Sequence, residues 1–257
     1  MLNVVDVGYN LKFRWISVML LTLITIFCVV IIYLVLLSGL EMNVAGPSES
    51  VFQVAAFEPF AQGDYDGTTT YAELTKHGDF GLGTLNGLDG EMIAIDGVFY
   101  QIPIDGEPRK IGSAEETPFA IVTFFEADQT LHVDGTMNYS ELQDFIDQNI
   151  SPETALYAIK IHGVYDYAEA RSLPKQTEPY PELTEAIEHQ VIFSLHNVTG
   201  TAAGFRLPSY MDEINIAGYH MHFISDDETS GGHLSDCIVR DATIEIDYTY
   251  DYELDLN

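Results

Sequence analysis

The chain has 257 residues, 47% of them hydrophobic, and carries a formal net charge of −30 at pH 7. Such an acidic surface repels phosphate backbones and anionic lipid headgroups, so the composition excludes nucleic acids and anionic membrane surfaces as partners. The two cysteines, Cys28 and Cys237, are too few for a disulfide framework and do not form a CxxC pair.

The first 41 residues predict a segment separate from the folded body. Residues 15–40 carry no charge, and the basic residues Lys12 and Arg14 precede them. The uncharged run exceeds the roughly 20 residues that a helix needs to cross a bilayer, and its basic flank favours the cytoplasmic side. A signal peptide cleaved after Ala45 is the alternative. Both interpretations place the rest of the chain outside the cytoplasm, either membrane-anchored or secreted.

Residues 42–50 are small and polar and predict a linker, after which short apolar runs alternate with turns through residues 51–257. In chain order, the pattern first predicts a strand at 51–56, a helix at 70–77 capped by Thr70, a hairpin at 91–102, a buried strand at 119–125, a helix at 140–148 capped by Ser140 and a strand at 156–162.

The second half begins with an irregular connection at 174–181 and a short helix at 183–189. The strands that follow are predicted at 191–196, 199–207, 219–225, 233–240 and 242–248. Roughly ten strands against three short helices place the chain in the α+β class, mainly β.

The strongest chemical signal is a His-x-His pair followed by a third histidine. Side chains alternate faces along a strand, so His220 and His222 point the same way. The Gly231-Gly232 turn then returns the chain as a second strand that opens with His233. Three imidazoles on adjacent strands form a typical catalytic zinc site, because they leave coordination positions free for a substrate.

Two alternatives remain open from the residues alone. A His-x-His pair on a strand is often two polar residues on a wet face, and imidazole also suits iron, nickel and copper. A cupin-like oxygenase or isomerase would use the same histidines, with Asp226 in place of the usual glutamate. Metal analysis and oxygen consumption distinguish these possibilities.

Several collinear segments resemble the alpha-acetolactate decarboxylase family. Together they extend over nearly all of residues 51–247, which makes the combination far more specific than any one motif. The matching segments are LTKHGDFGLGT at 74–84, LDGEMIA at 88–94, TPFAIVTFF at 117–125, PKQ at 174–176, GYHMHFISDD at 218–227 and GGH at 231–233.

The resemblance implies a site and a fold. It implies zinc bound by the three histidines His220, His222 and His233, with Glu91 as a catalytic group near the metal and Arg171 as a catalytic arginine. It also implies two mainly β domains of mixed and antiparallel sheets with the metal in a cleft, commonly as a homodimer. We place the subdomain boundary near residues 165–180.

The implied reaction is decarboxylation of 2-acetolactate to acetoin, with the metal as a Lewis acid that stabilises an enediolate. Thr84 ends a glycine-rich segment and is a candidate substrate-binding residue, while Arg206 is a weaker candidate with a structural alternative. Family members also bring a second, C-terminal glutamate to the zinc; Glu253 is a substitute for it that does not align with the family's glutamate, and what replaces that residue here stays open. Without the resemblance, Glu91 is a solvated turn carboxylate and Arg171 a surface partner of Glu169.

Overall fold

The computed structural model describes Ile26, residues 50–212 and residues 214–256. The predicted N-terminal anchor or signal segment, residues 1–41, lies outside the described residues except for Ile26. Within the described part of the chain, no helix has the length and apolar character required to span a bilayer. Residues 50–212 and 214–256 belong to one compact unit, which starts within the predicted linker.

Long strands dominate this unit, and the helices are short. The strands are β1 (Ser50–Val54), β2 (Thr69–Thr70), β3 (Phe80–Gly83), β4 (Glu91–Ile95), β5 (Val98–Ile102), β6 (Arg109–Lys110), β7 (Glu116–Thr117), β8 (Ala120–Thr123), β9 (Gln129–Asn138), β10 (Leu156–Ser172), β11 (Val191–Leu207), β12 (Gly218–Ser225), β13 (Gly231–Thr249) and β14 (Asp251–Asp255). The helices are α1 (Phe57–Ala61), α2 (Tyr71–Leu74), α3 (Tyr139–Asp147) and α4 (Leu183–Ile187), with one 3-10 turn at Ser209–Met211. The prediction of a mainly β protein is therefore confirmed.

The first sheet has seven strands in the order β14-β1-β8-β3-β4-β5-β6. Its only parallel pair among the described strands is β1 with β14, so the sheet is mixed. The predicted hairpin is present as β4 and β5, which turn at Asp96 and Gly97 with positive φ angles of 50° and 78°. Glycine adopts this conformation without steric penalty, and Asp is one of the few other residues that does so readily.

The second sheet is antiparallel and contains β10, β11, β12, β13 and β9 in that order. Strand β10 also pairs with β13, from Leu156 opposite Thr249 to Arg171 opposite His233. Because β12 bridges β11 and β13, the pairings of these four strands close into a ring. The ring fixes the register of the two strands that carry the histidines.

Apolar side chains fill the space between the two sheets and cover their outer faces. One buried cluster joins residues of β3, β4 and β5 to residues of β10, β11 and β12, so it lies where the sheets meet. A second cluster lies within the ring of strands and under α3, where Leu142 and Ile146 are buried. A third, rich in aromatic residues, joins α1, α4 and the turn before β4.

Several local predictions needed correction. The cap of α3 is Asn138 rather than Ser140: the Asn138 side chain accepts a hydrogen bond from the backbone N–H of Glu141, and the Glu141 carboxylate accepts one from the backbone N–H of Asn138. This reciprocal capping box satisfies two backbone donors at once. The cap of α2 is Thr70, as predicted, and its side chain accepts from the backbone nitrogen of Glu73 at 3.2 Å.

The strands of the second sheet are longer than the sequence indicated. The segments predicted at 191–196 and 199–207 form one strand, as do those at 233–240 and 242–248. At Asp241, φ is 51° and the pairing register shifts, so this polar position is a bulge inside β13. A bulge bends a strand without ending it, which a search for alternating residues does not detect. The subdomain boundary near 165–180 falls at the end of β10 and stays a prediction.

Candidate metal centre

The three histidines lie on β12 and β13, where those strands pair. His222 stands directly opposite His233 in the register, and His220 lies two residues before His222 on the same face. The alternate residues Met221 and Phe223 point to the other face and are buried in the ring cluster. The predicted alternation and return strand therefore bring the three imidazoles together.

The imidazoles converge at metal-binding distance. Their potential ligand nitrogens all lie within 4.8 Å of one another. Ring centroids are 5.2 Å apart for His220 and His222, 5.0 Å for His220 and His233, and 5.3 Å for His222 and His233. Their planes are tilted rather than stacked, so the lone pairs can point inward to a common centre. The described residues thus include a cluster that could hold a metal ion.

The first sheet orients one of these rings. Nδ1 of His222 lies 2.7 Å from the backbone oxygen of Met92 on β4. Because a carbonyl only accepts, Nδ1 carries the proton and donates, which leaves the lone pair on Nε2. Metal-binding histidines commonly use such a carbonyl to fix the ring and its tautomer. Nε2 is therefore the atom of His222 available to an ion.

Four buried polar atoms at this place have no hydrogen-bond partner within the described chain: Nε2 of His222, Nδ1 of His220, Oε1 of Glu91 and Nη1 of Arg171. Leaving a buried polar group unsatisfied costs about 1–3 kcal/mol, and more if it is charged. A divalent cation satisfies lone pairs on nitrogen and carboxylate oxygen, and an anionic ligand satisfies a guanidinium. The residues present therefore fit a metal ion with an anionic ligand beside it.

Burial keeps the imidazoles neutral, as metal ligation requires. It lowers the pKa of His220 to about 3, with Arg171 acting in the same direction. The pKa values of His222 and His233 are also well below the usual value, first through burial and then through His220. All three therefore present free lone pairs near neutral pH without first losing a proton.

Glu91 is the first residue of β4 and faces the histidines from the opposite sheet. Its Oε2 lies 3.4 Å from Nε2 of His222, and the side chain is 9% exposed. Burial raises the pKa of Glu91 to about 7, although Arg171 opposes the shift. A carboxyl with such a pKa can accept or release a proton near neutral pH. Glu91 is thus a buried residue of the centre rather than a solvated turn carboxylate.

Arg171 lies on β10 beside His233 and lines the same cavity. Glu169, its suggested surface partner, instead accepts hydrogen bonds from Tyr167 at 2.9 Å and from Ser235 at 2.9 Å. The buried Nη1 of Arg171 therefore remains available to a ligand. A guanidinium stays charged at any ordinary pH and can bind a carboxylate through paired donors.

Thr84 also lines the cavity, but its hydroxyl already donates to the backbone oxygen of Gly90 at 2.6 Å. Gly90 immediately precedes Glu91 and has a φ of 80° that favours glycine. The carbonyl of Thr84 accepts in turn from Tyr71 at 3.0 Å and from Thr117 at 2.7 Å. Thr84 therefore supports the backbone that carries Glu91 as well as forming part of the wall.

The apolar part of the cavity wall was missed by the sequence analysis. It is built largely from α1, α4 and Phe119, and its main side chains are Phe57, Phe60, Phe119, Leu183 and Ile187. The cavity measures about 60 Å³, which is room for roughly four or five water molecules. Apolar residues at helical spacing are usual in any core, so the sequence held no signal that these faced a site.

Three weaker candidates lie away from the centre. Asp226 approaches the exposed His162 at 3.2 Å, so the carboxylate expected for a cupin-like site is directed elsewhere. Arg206 donates to the backbone oxygens of Leu207 and Pro152, a structural role. Glu253 is exposed on the edge strand β14 and is not part of the cavity wall.

Comparisons with known proteins show which family this chain resembles. A sequence model of the family described as alpha-acetolactate decarboxylase matches residues 51–257. The alpha-acetolactate decarboxylase of Methanosarcina mazei is 42% identical over 209 residues, covering 81% of this chain and 73% of the relative. That of Methylococcus capsulatus is 40% identical over 206 residues, covering 80% and 79%. The crystal structure of alpha-acetolactate decarboxylase from Bacillus subtilis strain 168 superimposes with a TM-score of 0.79 at 36% identity, covering 80% of this chain and 88% of that one.

Proposed function

The chain belongs to the alpha-acetolactate decarboxylase family, and on this basis we propose that it converts 2-acetolactate to acetoin and carbon dioxide at the three-histidine centre. One observation carries the proposal for this site. Three neutral imidazoles, an acid-base carboxyl and a guanidinium line the same small cavity. Two of the imidazoles, the carboxyl and the guanidinium each retain a buried atom without a hydrogen-bond partner among the described residues. These are the groups that a chelating, anionic hydroxy-keto acid needs.

The substrate supplies its own electron sink. When the bond between the carboxylate carbon and C2 breaks, carbon dioxide leaves and the electron pair remains on C2. The neighbouring ketone delocalises this pair onto its oxygen, and a proton added to C2 gives acetoin. No organic cofactor is required. The site must bind the anion, stabilise charge on two oxygens and deliver one proton.

Arg171 is the residue we assign to the negative charge of the substrate. Its Nη1 is buried without a partner in the cavity, where a carboxylate would be desolvated and strongly attracted. An ion pair of this kind orients the carboxylate as well as binding it. Thr84 also lines the cavity and has an indirect role: its hydroxyl donates a hydrogen bond to the backbone oxygen of Gly90, which holds the start of β4 in place.

Glu91 is the residue we assign to proton transfer. Its Oε1 has no hydrogen-bond partner among the described residues, and its Oε2 lies 3.4 Å from Nε2 of His222, so the carboxyl stands where a bound substrate would be. It could take the proton of the substrate hydroxyl or return one to C2 if either atom lies within about 3 Å. A position on β4, held by cross-strand pairing, keeps this carboxyl aimed at the histidines.

We propose zinc as the ion held by His220, His222 and His233, because a catalytic zinc is typically bound by three protein ligands with open positions. When bound, it would act as a Lewis acid toward the oxygens of the substrate. Elemental analysis of the purified protein tests this assignment. Iron accompanied by oxygen consumption would instead support a cupin-like oxygenase.

The central experiment is acetoin formation from racemic 2-acetolactate by the purified full-length protein. We expect acetoin to form, to disappear after metal chelation and to return when zinc is added. Failure of the zinc-loaded protein to release either acetoin or carbon dioxide would refute the proposed reaction and favour a non-catalytic zinc-binding relative.

Two further features are proposed from the sequence and the resemblance. The uncharged run at 15–40, with Lys12 and Arg14 before it, supports a membrane anchor or export signal that places the domain outside the cytoplasm. Mass determination of the mature N-terminus would distinguish anchor from signal. We also propose a homodimer, which light scattering at several protein concentrations would test.

A further inference from the structure

The cavity has two chemically different sides, and only one of them is used by the reaction as assigned above. The polar side presents the histidines, Glu91 and Arg171. The other presents carbon alone, chiefly from α1, α4 and Phe119. A wall of this composition cannot take part in proton or charge chemistry. It can determine which substrate fits.

Within the apolar wall, the aromatic part is held firmly. Phe60 stacks on Phe119 with ring centroids 4.9 Å apart, and Tyr65 meets Phe60 edge-on at 5.3 Å. Phe60 and Phe119 are only 5% and 3% exposed. Each ring is held by its neighbours, so Phe60 and Phe119 form the tightly packed part of the apolar wall.

The aliphatic part is different. Leu183 and Ile187 are four residues apart on α4, which places them on one face of the helix. Both side chains are only partly buried, and they line the same cavity as the two stacked phenylalanines. They pack against the cluster that contains the stacked rings, but they lie outside the strands that carry the polar groups. A change in their size therefore alters the volume of the cavity while the strand-borne groups keep their pairing.

The substrate has a matching division. In a 2-hydroxy-3-keto acid, the carboxylate, hydroxyl and ketone account for every polar atom, and the remaining surface is alkyl. If those oxygens face the histidines and Arg171, the alkyl groups are left to face the wall. We infer that Leu183 and Ile187 set the upper size of the alkyl groups that this enzyme accepts. The inference rests on the proposed function and adds a specificity role for α4.

The test compares 2-hydroxy-3-oxobutanoates that carry methyl, ethyl or n-propyl at C2. A hydrophobic pocket distinguishes one methylene group by about 10-fold or more. We therefore expect Ile187→Ala to raise the ratio of kcat/KM for the propyl compound over the methyl compound by about 10-fold. Ile187→Phe places a larger side chain at this position and makes the cavity smaller, so it should lower the ratio of kcat/KM for the ethyl compound over the methyl compound.

The matched control is Ile238→Ala. Ile238 is a 38% exposed isoleucine on β13 that is not part of the cavity wall, so all three substrates should keep their wild-type ratios. Unchanged ratios in Ile187→Ala, with the methyl compound still decarboxylated, would overturn the specificity role and leave the proposed reaction standing.

A binding measurement separates the two proposals further. The 2-hydroxy-2-methylalkanoates lack the ketone and cannot be decarboxylated, so calorimetry with the butanoate to heptanoate members reports fit alone. We expect the longest chain bound by the wild-type protein to be extended by one or two carbons in Ile187→Ala. If no substrate is turned over but this extension is seen, the reaction fails and the size limit holds. If the dependence on chain length is unchanged, the size limit fails.

Discussion

The two walls of the cavity are built from different kinds of structure. The histidines, Glu91 and Arg171 stand on β12, β13, β4 and β10, strands paired on both sides by others. The apolar side chains of the same cavity stand largely on α1 and α4, helices of five residues each. Pairing on both sides fixes the register of a strand and the face on which each side chain lies. An isolated short helix, by contrast, has little stability of its own.

This contrast separates the groups that carry out the reaction from those that fit the substrate. Catalytic groups tolerate little displacement, and placing them inside a closed set of strand pairings meets that demand. The apolar wall needs only the correct volume and can be adjusted. Substitutions in the strand-borne wall should therefore have large effects on rate, and size-preserving ones in the helix-borne wall should have small effects.

The largest effect is expected from His222→Ala. Loss of a ligand should reduce both the bound metal and acetoin formation to below detection, since even partners that only orient a ligand change affinity or activity by about 10–100-fold. Metal content and activity would be measured on the same preparation. His162→Ala is the control, because this histidine is exposed and pairs with Asp226 outside the cavity. Normal activity in His222→Ala would refute the metal assignment.

Next is Glu91→Gln, which keeps the size of the side chain but removes its proton exchange. We expect kcat to fall by about 10²–10⁴-fold with metal content retained. Glu73→Gln, at an exposed glutamate on α2, serves as the control. Loss of the metal together with activity would show that Glu91 is a ligand and not the proton-transfer group.

The metal-free protein should lose stability in acid because its three histidines are buried in the neutral form. Its folded state keeps the three imidazoles neutral, whereas the unfolded chain protonates them below about pH 6.5, so the unfolded state binds more protons. The free energy of unfolding should therefore fall from pH 7 to pH 5, by about 2 kcal/mol for each imidazole.

Glu91 acts in the opposite sense over that range, because its raised pKa makes the folded state take up a proton between about pH 7 and 4.5. Three imidazoles outweigh one carboxyl, so the net change remains a loss. Urea unfolding of chelated protein at several pH values would measure it. A stability that rises toward pH 5 would contradict the burial of neutral histidines.

A smaller effect is expected from Thr84→Val, which preserves shape but leaves the backbone oxygen of Gly90 without its hydroxyl donor. An unsatisfied buried acceptor costs about 1–3 kcal/mol, and displacement of the adjoining Glu91 should lower kcat by about 10-fold. Thr84→Ser retains the hydroxyl and should recover most of the activity. Equal losses in both variants would show that the threonine methyl, rather than the hydrogen bond, is important.

The smallest effect is expected from Leu183→Met in the helix-borne wall. A swap that conserves volume typically changes stability by less than about 1.5 kcal/mol, and methionine adapts to the same space. We expect kcat/KM for 2-acetolactate to stay within about 3-fold of the wild-type value. A loss comparable to that of Glu91→Gln would remove the distinction between the two walls.

How much of the site the sequence could predict depends on how close its residues lie in the chain. Strand alternation and a glycine turn are local patterns, so the convergence of His220, His222 and His233 could be predicted from residues close in the chain. Glu91 and Arg171 came only from family resemblance, because nothing local indicates that β4 and β10 meet at the histidines. Asn138 was missed as a cap because Ser140, two residues on, fits the same pattern.

The apolar wall could not be predicted at all. Phe57 and Ile187 are 130 positions apart in the chain, and each lies in a segment that would suit any protein core. Only the folded arrangement shows that they face the same cavity as the histidines. Long-range packing of ordinary residues leaves no mark on local periodicity.

The hydrogen bond from His222 to the carbonyl of Met92 also bears on the packing of the two sheets. The donor and the acceptor are 130 positions apart and belong to different sheets. The orientation of a metal-binding ring therefore depends on how the two sheets pack against each other. A substitution that shifts one sheet relative to the other would alter the geometry offered to an ion even if it left all three histidines in place.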